Sequence, residues 1–253
     1  NWQRMPVRLP AEDLIRDWQP CTIDIGGVAL CGANLRQTWA QLHVGDLESY
    51  PRNPSVQDAW RCYHRGEFAR AVVIGRAAGA DGLVPAAFAA TAYAGYLEQD
   101  ESRKRGLFRQ VMEWCEQAQT YDRCTPNLLY IHAVAMDGYS QSLSAIETLA
   151  QGYGLRIRQQ AERCLAFNDC HADAHLLLAR WHVQICAHAG QLVAAILYRA
   201  NREAAIAHYE RAIELDSDSP IPYMAYAAGL EAMFADNGIE QLIALITCAL
   251  GKP

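Results

Sequence analysis

Lysine is nearly missing from this chain. Its 253 residues contain only Lys104 and Lys252, and the arginines are scattered rather than clustered. With a net charge of −6 there is no basic footprint to grip a phosphate backbone, so a nucleic-acid partner is not expected. Long apolar runs are missing too, and none approaches the roughly 20 residues that a membrane span needs. Catalytic signatures are equally scarce. The sequence has no Gly-x-Ser-x-Gly elbow, no P-loop, no Cys-x-x-Cys pair and no His-Glu-x-x-His string. Neither an enzyme nor a cofactor is expected on these grounds. What remains is a chain 51% hydrophobic and 20% charged, the composition of a folded protein with a substantial core.

Internal repetition organises that composition. Gln160-Ala161-Glu162-Arg163-Cys164-Leu165 aligns with His208-Tyr209-Glu210-Arg211-Ala212-Ile213 at an offset of 48 residues. Kept along the chain, the same offset places Ala179 on Ala227, Leu178 on Tyr226, His175 on Tyr223 and Asn168 on Asp216. A step back of 46 residues places Ala118 on Cys164 and Ala133 on Ala179. In Glu203–Leu215 the residues Ala205, Ile206, Tyr209, Ala212 and Ile213 recur at spacings of three and four, which marks one face of a helix. Asp216-Ser217-Asp218-Ser219-Pro220 then supplies a stop, a turn and the start of the next helix. The small residues Ala133, Ala179 and Ala227 are expected to be buried where helices cross.

Glu203-Ala204-Ala205-Ile206-Ala207-His208-Tyr209-Glu210-Arg211-Ala212-Ile213-Glu214-Leu215-Asp216 resembles the second helix of a tetratricopeptide repeat. Gly66, Phe68 and Ala71 within Trp60–Ala78 resemble the inter-helix turn of the first such hairpin. The resemblance runs from about Val56 to Ala249. It implies an all-α fold of antiparallel helical hairpins stacked in a right-handed superhelix. A plain repeat of this kind has a period near 34 residues. Here about a dozen extra residues stand in each of two successive hairpins, near 140–154 and 188–200. This arrangement is similar to that of bacterial tetratricopeptide-like proteins related to the regulator of microtubule dynamics family, which implies a scaffold or adaptor role.

Two regions follow from this reading: an N-terminal capping extension over 1–55, and a repeat domain over 56–253. The extension is punctuated by Pro6, Pro10, Pro20, Pro51 and Pro54. Within it, Cys21 and Cys31 bracket a segment that reads as a small β-hairpin with a Gly26-Gly27 turn, close enough at its ends for a disulfide. Cys115 with Cys124 and Cys164 with Cys170 are further local pairs. Against bonding stands the alternative that cysteines fill small buried slots, as the helical positions of Cys62, Cys164, Cys186 and Cys248 suit. A bonded Cys21–Cys31 would favour a periplasmic or secreted location over the cytoplasm.

Functional candidates lie on the helices. His171, His175, His182 and Cys186 fall within about a 60° arc of one helix, a spacing able to chelate a metal. No acidic ligand accompanies them, and His175 occupies the packing slot of Tyr223, so structural roles are the stronger expectation. In repeats of this kind the first helix of each hairpin lines the concave groove. The register set by Ala133, Ala179 and Ala227 puts Asn127, Tyr130, Asp137, Asp173, Arg180, Gln184, Met224 and Glu231 on that wall. The wall has no lysine, which disfavours a clamp for a chaperone's acidic tail and favours a neutral segment of a partner protein. The insertions carry Leu143, Ile146, Leu149 and Ala150, then Leu192, Val193, Ile196 and Leu197. These sets are expected to pack on each other, with surplus apolar surface left for a partner, a second copy or a membrane surface. The leading expectation is a protein-interaction scaffold. The alternative is a small-ligand-binding accessory protein with a pocket between groove and insertions.

Overall fold

The structure is a computed structural model that describes residues 32–120, 124–234 and Thr247. All regular structure among these residues is helical, as the repeat pattern predicts. The β-hairpin and the Cys21–Cys31 pair expected in the extension lie outside the described residues. No helix among the described residues is long and apolar enough to cross a membrane.

The chain divides into two compact units. The first holds α1 (Gly32–Leu42), α2 (Pro54–His64), α3 (Phe68–Ala77), α4 (Leu83–Tyr96), α5 (Glu101–Thr120), α6 (Pro126–Ser140) and α7 (Ala145–Ala150). Each of α2 to α5 packs on its successor in sequence, and α2, α4 and α6 also pack on one another in order. That alternation is what stacked hairpins produce. Local chemistry sets the boundaries. Asn53 caps α2 by accepting from the Ser55 amide at 3.0 Å, and Thr125 caps α6 by accepting from Leu128 at 3.3 Å. A proline follows each cap at the first helical position, where its missing N–H costs nothing. Gly138 lets the Phe108 ring lie directly against the α6 backbone, in the space a Cβ would occupy.

Helix α1 of the N-terminal extension meets the first hairpin through its aromatic residues. Trp39 of α1 meets Trp60 of α2 edge to face at 5.8 Å, stacks on His43 at 4.0 Å, and donates its indole N–H to the Glu48 carbonyl at 2.6 Å.

The second unit comprises residues 44–47 with α8 (Tyr153–Phe167), α9 (Ala172–Ala189), α10 (Arg202–Leu215) and α11 (Pro220–Phe234). Here α9 packs on α8, α10 and α11, and α10 packs on α11. Its core gathers Ala179, Val183, Ala205, Tyr209, Tyr226, Leu230 and Met233. Tyr209 and Tyr226 stack at 5.0 Å. Gly229 makes room for the Tyr209 ring, as Gly138 does for Phe108 in the first unit. Ala133, Ala179 and Ala227 are buried, as the register predicts, and so are the aligned Ala118, Cys164 and Ala212. The aligned Asn168 and Asp216 are the C-caps of α8 and α10.

Residues 141–152, between α6 and α8, contain α7. Residues 190–201, between α9 and α10, contain one α-helical turn and the π-helical turn Ala194–Tyr198. The latter ends on Arg199 in the left-handed region, with φ 52°.

Candidate functional site

The eight predicted wall residues fall in both units, and each unit holds its set differently. In the first unit, all three lie on α6. Asn127 is buried and donates its amide to the Glu48 carboxylate at 2.6 Å. Tyr130 is half-buried with its ring 6.0 Å from that of Phe88. Asp137 is buried and accepts from the Gln141 amide at 3.2 Å. These contacts are internal to the unit and hold helix ends and the extension in place.

In the second unit, Asp173, Arg180 and Gln184 lie on α9, and Met224 and Glu231 on the neighbouring α11. Arg180, Met224 and Glu231 are exposed and Gln184 is half-buried. Ile221, one turn before Met224, is exposed as well. Asp173 differs from the rest. Its amide donates to the Gly45 carbonyl at 3.1 Å, and its carboxyl lies against Gly45 so closely that a Cβ there would strike it. Burial, then the nearby charges of Asp46 and Asp216, push its pKa up to about 7.

The histidine stretch resolves into separate tasks. His171 is the N-cap of α9, its Nδ1 accepting from the Ala174 amide at 3.1 Å. His175 and His182 meet His208 of α10, a residue the sequence reading had not linked to them. The Nδ1 atoms of His175 and His208 are 2.8 Å apart, and the rings of His182 and His208 stack at 5.9 Å. The proton arrangement follows from the partners. His175 Nε2 faces the Asp169 carbonyl at 3.0 Å and must donate to it, so in the neutral ring Nδ1 accepts and His208 donates. His182 Nδ1 accepts from the Asn201 amide at 3.3 Å. Burial pulls the pKa of all four rings down, to about 4 for His171, His182 and His208. Among the described residues no three of His, Cys, Asp and Glu converge to hold a metal ion. Cys186 is buried with its thiol raised by desolvation.

Of the remaining described cysteines, Cys62, Cys115 and Cys170 are free thiols. Burial drives the Cys115 thiol far above its ordinary pKa, so it is a packing group and a poor nucleophile.

Among the described residues, the second insertion carries a run of outward apolar side chains. Leu192, Ile196 and Leu197 are 74%, 69% and 63% exposed, and Val193 is exposed too, whereas the small Ala194 and Ala200 turn inward. The segment is firmly mounted. Arg158 of α8 donates to the Tyr198 carbonyl at 2.6 Å and lies over Trp181, whose indole N–H donates to Gly154 at 2.7 Å. The Ala200 amide closes the turn on the Ala194 carbonyl at 3.0 Å. Sequence periodicity could place these apolar residues on one short element. It could not show that the alanines would take the inward positions.

Comparison with curated proteins gives no match. The model of one family, described as regulator of microtubule dynamics protein 1-3, matches residues 83–229, which takes in helices of both units. That match covers more than half of the chain, and the chain therefore belongs to the regulator of microtubule dynamics family.

Proposed function

We propose that the chain is a non-enzymatic protein-interaction scaffold of tetratricopeptide-like hairpins, whose working surface is the second insertion together with the exposed residues of α9 and α11. The outward set Leu192, Val193, Ile196 and Leu197 carries this reading. Apolar side chains gain by leaving water, and a chain that could bury four large ones instead buries two alanines beside them. The backbone there adopts a π turn and a left-handed non-glycine residue, conformations that cost free energy and concentrate at functional positions. Arg180, Gln184, Met224 and Glu231 add a mixed polar and apolar surface suited to gripping an extended or helical segment.

The test is the double variant Leu192→Asp with Ile196→Asp, paired with photo-crosslinking from position 196 in the parent. Tubulin is the first partner to try, given the family's name, and native extract the second. Both side chains already face solvent, so helicity and melting temperature should stay within about 0.5 kcal/mol of the parent, while crosslinked partners are lost. A folded variant that retains every partner and the same oligomeric state would show the insertion to be structural only.

A further inference from the structure

Among the described residues, Arg76 is a buried cation without a counter-ion. It stands in the last turn of α3 with 7% of its surface exposed, and no described carboxylate pairs with it. Its guanidinium carbon lies over the Trp114 ring on α5, 4.6 Å from the centroid. Arg76 Nε is sealed from solvent with no acceptor, and so is the Trp114 indole nitrogen. The terminal guanidinium nitrogens are not sealed in this way. Among the described residues, Cys115 is the one titratable neighbour whose charge acts on Arg76, and burial keeps that thiol protonated.

Buried donors and buried charges are ordinarily satisfied, because leaving them bare costs free energy. Here two orphan donors accompany one uncompensated positive charge, and a ligand that relieves all three must be an anion. A single guanidinium matches one negative charge, and its planar fork matches two coplanar oxygens. We propose that Arg76 and Trp114 form a binding site for a carboxylate, reached from the exposed end of the arginine. The site belongs to the first unit and stands independently of the partner surface proposed above.

The experiment follows the side-chain Nε–H signal of Arg76 by ¹H–¹⁵N NMR in the intact protein, identified by its loss in Arg76→Lys. The probes are sodium acetate, a blocked peptide with one glutamate, its glutamine counterpart, sodium phosphate, and sodium chloride at matched ionic strength. A saturable shift with acetate, absent with chloride, is the expected result. Trp114→Phe keeps the stacked ring and removes its donor, and should weaken acetate about tenfold. If the glutamate peptide shifts the signal and the glutamine peptide does not, the carboxylate can be polypeptide-borne; acetate alone points to a small free acid. No saturation beyond the chloride effect overturns the site, whether or not either variant folds. Saturation by phosphate below the acetate range overturns the carboxylate assignment.

Discussion

His171, His175, His182 and His208 are stored in the second unit as neutral rings, each with a pKa below that of an exposed histidine because burial disfavours the charged form. An unfolded chain takes up protons on these rings from pH 6.5 downward, whereas folded His171, His182 and His208 resist until about pH 4 and His175 is shifted in the same direction. The unfolded state therefore binds more protons across this window, and stability rises with pH through it and is lost on acidification. Asp173 opposes the trend. Its folded pKa of about 7 lies above its ordinary value of 3.8, so the folded state is the one that holds the extra proton, and stability from this group falls as pH rises toward 7. The histidines outnumber it. Melting followed by circular dichroism should show a net loss on the order of 3 kcal/mol between pH 6.5 and 4.5. Asp173→Asn removes the opposing contribution. It should raise stability at pH 7.5 by about 1–2 kcal/mol and make the loss on acidification steeper. A variant with the parent's stability at pH 7.5 would show that Asp173 ionises freely.

Among the elements, the repeat alignment made the small crossing residues legible before any coordinates. Ala118, Cys164 and Ala212 share one register position, Ala133, Ala179 and Ala227 share another, and all six are buried. Size is the physical reason. A position where two helix backbones approach closely accepts only a small side chain, and that constraint survives as a repeated letter. Ala179 is the sharpest case, being fully buried in the cluster with Tyr209 and Tyr226. Ala179→Leu should cost about 1–3 kcal/mol by overpacking, read as a lower midpoint in denaturant titration. Unchanged stability would mean that the crossing has slack. The meeting of His208 with His175 and His182 was not legible, nor was Arg76 on Trp114. Periodicity tells which face of a helix turns inward, but not which residue of another helix it will find there. The wall assignment illustrates the same limit. The spacing that picked out Arg180 and Met224, both exposed, also picked out Asn127, which is buried against Glu48.

At the scale of the whole chain, what the sequence lacks was as informative as what it repeats. Scarce lysine and short apolar runs are the grounds on which neither a nucleic-acid partner nor a membrane span is expected, and the described residues contain no helix long and apolar enough to cross a bilayer. The tryptophans are unevenly shared between the two units. Trp181 is the only one within residues 44–47 and 151–253; the other five precede position 115. Its ring lies 4.9 Å from that of His182, the two planes nearly perpendicular. An imidazolium at that separation is an efficient quencher of indole emission, and a neutral imidazole is a poor one. The second unit thus contains a built-in optical pH probe. The difference spectrum between the parent and Trp181→Phe should isolate one emitter whose intensity holds steady through neutral pH and drops as His182 takes its proton near pH 4, unless the unit unfolds first and the emission shifts to the red instead. Intensity that declines around pH 6.5 would mean that His182 is open to water. A single cuvette measurement can therefore report whether this half of the molecule is folded and whether its buried imidazoles are charged.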